Sequence, residues 1–189
     1  MTAIAGILNV NTRATCAPVV QALCDTLEQL RSLLGTLSPS HYATNAGELF
    51  SNGTIGGHVR HTLDHIRALT DGNVEGQIDY DHRERGTAIE FDLAAAQDEL
   101  DRLAAVVTPL ARVTSAKPVS VTVMPSHDGN CVSVASTLGR ELAFALSHTV
   151  HHNATIRSMV IALGHQVPAS FGYAPSTLAS REHSVAGHH

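Results

Sequence analysis

The sequence predicts a mainly α protein, a four-helix bundle of up-down-down-up topology with a small β-hairpin before the last long helix. Four segments place apolar residues at helical spacing, and turn-rich stretches separate them. Two short alternating runs of β-branched residues flank the sequence SHDGN. Because 189 residues is the length of one domain, we expect a single domain over residues 1–189, with flexible tails at 1–16 and 183–189.

The first two predicted helices and the segment after them set the topology. The first helix covers residues 17–37 and has a polar reverse face. The second begins after Thr54, a suitable N-cap, and ends near Asp71, where the sequence DGN follows. The polar connection 72–90 is long enough to cross the end of a bundle, which favours two parallel middle helices.

The second half of the chain contains the other two helices and the hairpin. Asp92 is the predicted N-cap of an alanine-rich third helix that loses its regularity near Pro109. Residues 119–134 form the predicted hairpin, and residues 137–163 form the longest helix, with Gly164 directly after its end. The tail that follows is expected to be irregular chain with a short turn that lies over the open end of the bundle, where it could act as a lid.

The composition excludes several classes of function. A formal net charge of −5 with only 12 Lys and Arg argues against a surface that follows nucleic-acid phosphates. The apolar amino terminus has no basic segment before it and is too short to cross a membrane. Cys16, Cys24 and Cys131 are an odd number without metal-ligand spacing, which indicates buried thiols in a reducing compartment. We therefore expect a cytoplasmic protein.

Histidine is the unusual residue of this chain, with 13 in 189 positions. The last two end the sequence in GHH and are set aside as part of a tail. In the second predicted helix, His58, His61 and His65 fall within an arc of about 60°. In the fourth, His148 and His152 are four residues apart on the apolar stripe, so their rings point the same way. Histidines of two helices are thus expected to face the interior.

Three imidazoles that converge from two helices can hold one divalent ion and leave coordination positions open for water or substrate. The alternative is that each inward histidine is only a hydrogen-bonded core residue. One i,i+4 pair alone decides little between the two. Histidine clusters on the inward faces of two helices make the metal site as strong a hypothesis as the hydrogen-bonded core, and the residues alone leave both open.

Two short motifs carry a family resemblance. GTIGGHVRHTLDHI resembles the second-helix pattern of the DinB-like, YfiT-like superfamily of four-helix-bundle metalloproteins, and HTVHHNATI resembles its fourth-helix HxxxH motif. The resemblance covers roughly residues 17–180. It implies thiol-dependent transferase, isomerase or hydrolase activity, and pairing as a homodimer.

The same resemblance implies a set of metal ligands. By that match the ligands are His61, His148 and His152, and His58 corresponds to a position that is less consistently a ligand. Spacing alone also leaves His65 open, because it shares a face with His61.

A divalent ion in such a site can lower the pKa of a bound water towards about 7, polarise a carbonyl or bind a thiolate. Three histidines suit zinc, nickel or iron, so the sequence leaves the metal open. Asp64 and Glu141 are the candidate catalytic residues, either as bases or to orient a ligand ring. Solvated helix charges are the alternative for both.

Candidate substrate-binding residues lie in the long connection and in the tail. The sequence YDHRERG places Tyr80, Arg83 and Arg85 where they could grip a carboxylate or phosphate. Tyr173 in FGYAPST could close the entrance of the pocket that these residues would cover. A solvated loop and a core-capping aromatic side chain are the alternatives.

The sequence therefore predicts a divalent-metal-dependent hydrolase or thiol S-transferase that acts on a small-molecule substrate, with low-molecular-weight thiols among the candidates, and that has no nucleic-acid or membrane partners. The alternative is a non-catalytic stress-response interaction protein, in which the metal clamps two helices or the pocket is vestigial. An enzyme leaves coordination positions open, whereas a clamp closes them with a fourth protein ligand.

Overall fold

The computed structural model describes residues 14–82 and 84–186. Within these ranges the chain is mainly helical and carries one small sheet. The helices are α1 (Ala17–Leu34), α2 (Pro39–Ala43), α3 (Ile55–Glu75), α4 (Ala88–Phe91), α5 (Leu93–Val107), α6 (Leu138–Ala162) and α7 (Pro175–Ala186). The strands are β1 (Gln77–Asp79), β2 (Pro118–Val123) and β3 (Val132–Thr137). The long helices α1, α3, α5 and α6 are the four predicted ones, and the bundle topology stays a prediction.

The sheet contains the predicted hairpin and one further strand. β2 and β3 pair antiparallel, with Val121 opposite Val134, and Gly129 in the turn has a φ of +82°. β1 pairs parallel to β2, with Gln77 opposite Ser120. Three residues have no periodicity of their own, so the sequence alone did not predict β1.

The helix boundaries follow from capping chemistry. Thr54, Asp92 and Thr137 each accept a hydrogen bond from a backbone N–H in the first turn of α3, α5 and α6. After α6, Gly164 has a φ of +84°, the left-handed conformation typical of a helix end. The predicted starts of the second, third and fourth long helices are confirmed.

The end of α3 differs from the prediction. The helix continues through the sequence DGN to Glu75, and Gly76 then adopts a φ of +78°. Gly72 packs against β1 so closely that a Cβ atom there would lie 2.3 Å from the carbonyl oxygen of Gln77. The glycine permits a close approach between helix and strand and does not stop the helix, so a helix end near Asp71 was wrong.

The carboxyl-terminal segment is more regular than predicted. Where irregular chain with a short turn was expected, α7 forms a helix, and Phe171 before it is buried with 1 % of its surface exposed. Arg157 of α6 donates from Nη1 to the carbonyl oxygen of Pro168 at 3.0 Å. The segment between α6 and α7 is therefore tied to the helical core.

The amino-terminal side is anchored where it is described. Cys16 is 1 % exposed, and its N–H donates to the carbonyl oxygen of Val113 at 2.9 Å. The three cysteines are free, and Cys131 is exposed instead of buried. Residues 1–13 and 187–189 of the predicted tails lie outside the described residues.

The packing of α3 places the histidines. α3 contacts α5, α6 and β1, and α6 also contacts α1. Leucines and isoleucines without solvent exposure fill the space between these helices. The histidine-bearing faces of α3 and α6 therefore meet inside the protein. Over the described ranges, no helix combines the length and the apolar character needed to cross a membrane.

Candidate metal centre

Five histidines line the contact between α3 and α6. α3 contributes His58, His61 and His65, and α6 contributes His148 and His152. The rings pair in opposite order along the two helices, because the centroids of His58 and His152 are 5.3 Å apart and those of His65 and His148 are 3.9 Å apart. The two helices thus run antiparallel here and bring both predicted sets of imidazoles together.

His61, His65 and His148 form the tightest group. Each offers one ring nitrogen, and these three atoms lie within 4.8 Å of one another. The ring centroid of His61 is 4.5 Å from that of His65 and 5.0 Å from that of His148. Ring nitrogens of histidine are common ligands of divalent metals. The three histidines could therefore hold a metal ion.

The ring of His65 is oriented by the backbone of its own helix. Its Nδ1 atom lies 3.0 Å from the carbonyl oxygen of His61. Because a carbonyl oxygen only accepts hydrogen bonds, Nδ1 carries the proton, and the lone pair of the neutral ring is on Nε2. Donation of the N–H of the nitrogen that does not bind the metal to a carbonyl group is the arrangement that usually fixes a metal-ligating imidazole.

His152 lies beside this group and contacts His58. Its ring centroid is 4.7 Å from that of His61 and 4.5 Å from that of His148. Its Nδ1 atom is 3.0 Å from Nδ1 of His58, so one of these nitrogens donates to the other. The predicted ligand set of His61, His148 and His152 stays a prediction. The structure adds geometric support for His65, which the spacing had left open.

Glu141 and Tyr80 are hydrogen-bonded behind the histidines. The carboxylate of Glu141 is 1 % exposed and accepts from the hydroxyl of Tyr80 at 2.9 Å and from that of Ser136 at 2.5 Å. Arg140 pairs with it at 3.1 Å. The ring of Tyr80 stacks on His65 with centroids 5.4 Å apart. Glu141 thus holds Tyr80 against the histidine group, and its role as a base stays a prediction.

Asp64 lies in a network of ion pairs at the other side of α3. It pairs with Arg60 at 2.7 Å and with Arg67 at 3.2 Å. Arg60 continues to Glu90 at 3.1 Å, and Arg67 continues to Glu99 at 2.6 Å. The alternative of a solvated charge does not describe Asp64, because its side chain is only 4 % exposed. Its predicted catalytic role stays a prediction.

The predicted substrate-binding residues occupy different places. Arg83 lies outside the described residues, and Arg85 is exposed in the connection after β1. Tyr80 is buried. Tyr173 is stacked with the guanidinium groups of Arg157 and Arg181. The structure therefore does not bring the described members of this set together at the entrance of one pocket.

A cavity of about 330 Å³ opens beside the histidines. It is lined by His58, His61 and His152 and by the ion pair of Arg60 with Glu90. Sequence reasoning did not select Arg60 and Glu90, because they belong to distant segments. The spacing of Arg60 four residues before Asp64 was the available signal for part of this network.

Burial keeps two of the imidazoles neutral. Desolvation lowers the pKa of His152 to about 3, and the neighbouring histidines, first of all His148, act in the same direction. Desolvation and His151 also lower the pKa of His58. Neutral rings are the form that can bind a metal ion.

The metal-free protein is therefore expected to lose stability below about pH 6.5. Between the lowered pKa of about 3 for His152 and the ordinary value of about 6.5, the unfolded chain binds more protons than the folded one. The contribution of His152 to the free energy of unfolding is then fully present above about pH 6.5 and is lost as the pH falls, by up to about 1.4 kcal/mol per pH unit. Urea unfolding of EDTA-treated protein at pH 7.5 and 5.0 measures the difference.

Control variants distinguish the protonation of His58 and His152 from other causes of the loss of stability at low pH. The double variant His58→Gln, His152→Gln should show a smaller loss between the two pH values than the parent. The variant His127→Gln, at an exposed position in the hairpin turn, should show the full loss. Equal losses in the parent and the double variant would contradict the explanation.

Comparison with known proteins gives one partial likeness. The chain is 31 % identical over 113 residues to FK506-binding protein 5 of Rhizopus delemar, which is 59 % of this chain and 29 % of that protein. The chain thus matches less than a third of the length of that curated relative. No family model and no solved structure matches the chain.

Proposed function

We propose that this chain is a divalent-metal-dependent enzyme of hydrolase or thiol S-transferase type, and that it belongs to the DinB-like, YfiT-like superfamily of four-helix-bundle metalloproteins. The observation that carries the proposal is the grouping of ring nitrogens of His61, His65 and His148, from two helices, within 4.8 Å of one another. Zinc, nickel and Fe(II) all suit three neutral imidazoles.

The donor set fits such an ion. His65 has its Nδ1 proton directed to the carbonyl oxygen of His61, which presents Nε2 as a ligand. A bound divalent ion would act as a Lewis acid on a substrate carbonyl or would hold a thiolate. With three protein ligands, room remains for a further ligand from solution.

The surrounding residues supply the binding and positioning. The cavity of about 330 Å³ borders His61 and has the size of a small-molecule site. The ion pair of Arg60 and Glu90 on its wall offers a donor and an acceptor to a polar substrate. Tyr80, fixed by Glu141, holds the plane of the His65 ring. These contacts support a small-molecule substrate, with low-molecular-weight thiols among the candidates.

One observation favours the second candidate function, a metal-clamped interaction protein without catalysis. The ring centroid of His152 is 4.5 Å from that of His148. Rotation of the His152 side chain would therefore let this imidazole close the coordination sphere as a fourth protein ligand. A closed sphere of four protein ligands is typical of structural sites.

The test starts with elemental analysis of protein purified without a histidine tag and loaded separately with Zn²⁺, Ni²⁺ or Fe(II). We expect one ion per chain and, in a screen of ester hydrolysis and thiol-adduct formation, turnover that depends on the ion. The variant His152→Gln separates the two candidates. A clamp loses melting temperature in the loaded protein, whereas a catalyst keeps most of its stability and changes in turnover. Absence of stoichiometric metal under every loading condition would exclude both the metal-dependent enzyme and the metal-clamped interaction protein.

A further inference from the structure

Two arginines from different helices meet at one tyrosine ring, away from the histidines. The Cζ atom of Arg157, on α6, lies 5.1 Å from the ring centroid of Tyr173, and that of Arg181, on α7, lies 3.9 Å from it. The face of an aromatic ring attracts a guanidinium group but does not neutralise its charge. Arg157 lies about 140° and 180° around α6 from His152 and His148, so a ligand bound here would be separate from the proposed metal site.

The chain before Tyr173 is fixed on α6. Phe171 is buried in the core. Gly172 has a φ of +75°, and a Cβ atom there would lie 2.8 Å from a carbonyl oxygen of α6, so the backbone lies directly on the helix. Nη1 of Arg157 donates to the carbonyl oxygens of Pro168 and Phe171 at 3.0 and 3.4 Å. The tyrosine and Arg157 are therefore held in place relative to each other before any ligand binds.

Neither arginine has a carboxylate partner among the described side chains. The ion pairs of that part of the chain involve Arg31, Arg60, Arg67, Arg102 and Arg140. Arg157 is the only half-buried arginine of the described ranges that is not paired in this way. Two neighbouring cations without a counter-charge repel each other, and an anion that binds beside both removes this repulsion.

The hydroxyl group of Tyr173 lies in the field of both cations. A hydrogen bond and the charge of Arg181, followed by the charge of Arg157, lower the pKa of this hydroxyl. An oxygen that accepts from a guanidinium group keeps its own proton for another acceptor. The bonds of Arg157 to backbone carbonyl oxygens use only Nη1, which leaves its other N–H groups for the same acceptor. The surroundings of the hydroxyl thus offer several donors and a positive charge.

One carboxylate opposes this charge. Asp25 is the only acidic residue of the described ranges that lines the cavity of about 290 Å³ bordered by Tyr173. It is exposed, and it accepts a hydrogen bond from the neutral amide of Gln21 at 2.9 Å. The two guanidinium groups outweigh this single carboxylate, so the described surroundings of Tyr173 favour an anion over a cation.

We propose that Arg157, Arg181 and the hydroxyl group of Tyr173 bind a phosphoryl dianion, either inorganic phosphate or a phosphate monoester. The fork of a guanidinium group matches two phosphate oxygens, and two cations match the two negative charges. The phenol donates to a further oxygen. A carboxylate has one charge and two oxygens, so it satisfies fewer of these donors. The site is open to solution, because Arg181 is exposed and the other two side chains are half-buried.

NMR titration of ¹⁵N-labelled protein tests the proposal through the amide shifts of Gly172 and Arg181. The protein is first freed of metal with a chelator and dialysed, so that phosphate cannot bind to an ion at the histidines. Inorganic phosphate, phenyl phosphate and acetate are compared at pH 7.5, where monoesters are mainly dianionic, and at constant ionic strength. We expect both phosphates to bind at millimolar concentration, and acetate to bind at least about fivefold more weakly. Tighter binding of phenyl phosphate than of inorganic phosphate would assign the site to monoesters, and equal binding would assign it to the phosphate group alone.

Single variants assign the binding to the two arginines. Arg157→Gln should weaken phosphate binding by about tenfold, and Arg181→Gln, at an exposed position, by about two- to fivefold. Arg112→Gln, also at an exposed position and with the same change in net charge, should leave it unchanged. Asp25→Asn should leave it unchanged or strengthen it, because it removes the opposing charge.

Arg157 also holds the chain before Tyr173, so its variant is checked for folding by its NMR spectrum. If Arg157→Gln does not fold, Arg181→Gln and Tyr173→Phe, which each remove a donor without touching those contacts, still decide the question. The proposal is overturned by the absence of phosphate binding at millimolar concentration. It is equally overturned by binding that the variants of Arg181 and Tyr173 leave unchanged, or that Arg112→Gln weakens as much as Arg181→Gln does.

Discussion

Replacement of His148 by alanine is expected to weaken Zn²⁺ binding by about 100-fold or more. Loss of a group that only supports a metal ligand typically costs 10- to 100-fold in affinity, and loss of a ligand costs at least as much. His148 is the one member of the group of three that α6 supplies, so its removal also disconnects the two helices. Competition titration against a chromophoric chelator at pH 7.5 measures the affinity.

Two further variants and a control make this result specific. His65→Ala should weaken binding as strongly as His148→Ala, and His152→Ala should weaken it by less than about tenfold. His151→Ala, an exposed position next to His152 on the same helix, should leave the affinity unchanged. A larger loss with His152→Ala than with His65→Ala would assign the third ligand to His152, as the sequence motif implies.

Replacement of Asp64 by alanine is expected to lower the free energy of unfolding by about 3 kcal/mol. Removal of one partner from a buried ion pair leaves uncompensated charge, which typically costs about 3 to 5 kcal/mol. Asp64 is 4 % exposed and neutralises both Arg60 and Arg67, which are 13 % and 30 % exposed. Because Arg67 keeps Glu99 and Arg60 keeps Glu90, the lower end of the range applies. Urea unfolding at pH 7.5 gives the value.

A matched pair on the surface provides the control. Arg31 and Asp101 also form a short ion pair, but their side chains are 47 % and 56 % exposed. Asp101→Ala should therefore cost less than about 1 kcal/mol. If Asp64→Ala unfolds like the parent but abolishes turnover of the loaded protein, Asp64 acts in the chemistry, as the sequence analysis allowed, and its structural role is small.

Local sequence signals predicted the helices well and their ends less well. Thr54, Asp92 and Thr137 are polar residues before apolar periodic segments, and each caps a helix. Gly72 has the same local signal as a helix stop, yet β1 packs against it. The difference depends on a strand that exists only through its pairing with the distant β2, so no short window of sequence contains it.

The candidate site shows the same division between local and distant information. Helical periodicity placed His58, His61 and His65 on one face and His148 and His152 on another. It did not set how far one helix is shifted along the other, and that shift decides which rings are neighbours. In the structure it brings His65 and His148 to 3.9 Å. Tyr80 was predicted in an open loop and is buried, because β1 directs the chain under the helices.

The parallel pairing of β1 with β2 has a consequence for the order of folding. Gln77 and Ser120 are partners although roughly forty residues separate them along the chain, whereas the loop of residues 124–131 joins β2 directly to β3. A hairpin such as that of β2 and β3 closes in about 1–10 μs. The pairing of β1 with β2 comes later, because α4 and α5 lie between the two strands in the chain and must first fold back. We therefore expect the exit of α3, and with it the final position of Tyr80 under His65, to be among the last parts of the molecule to form.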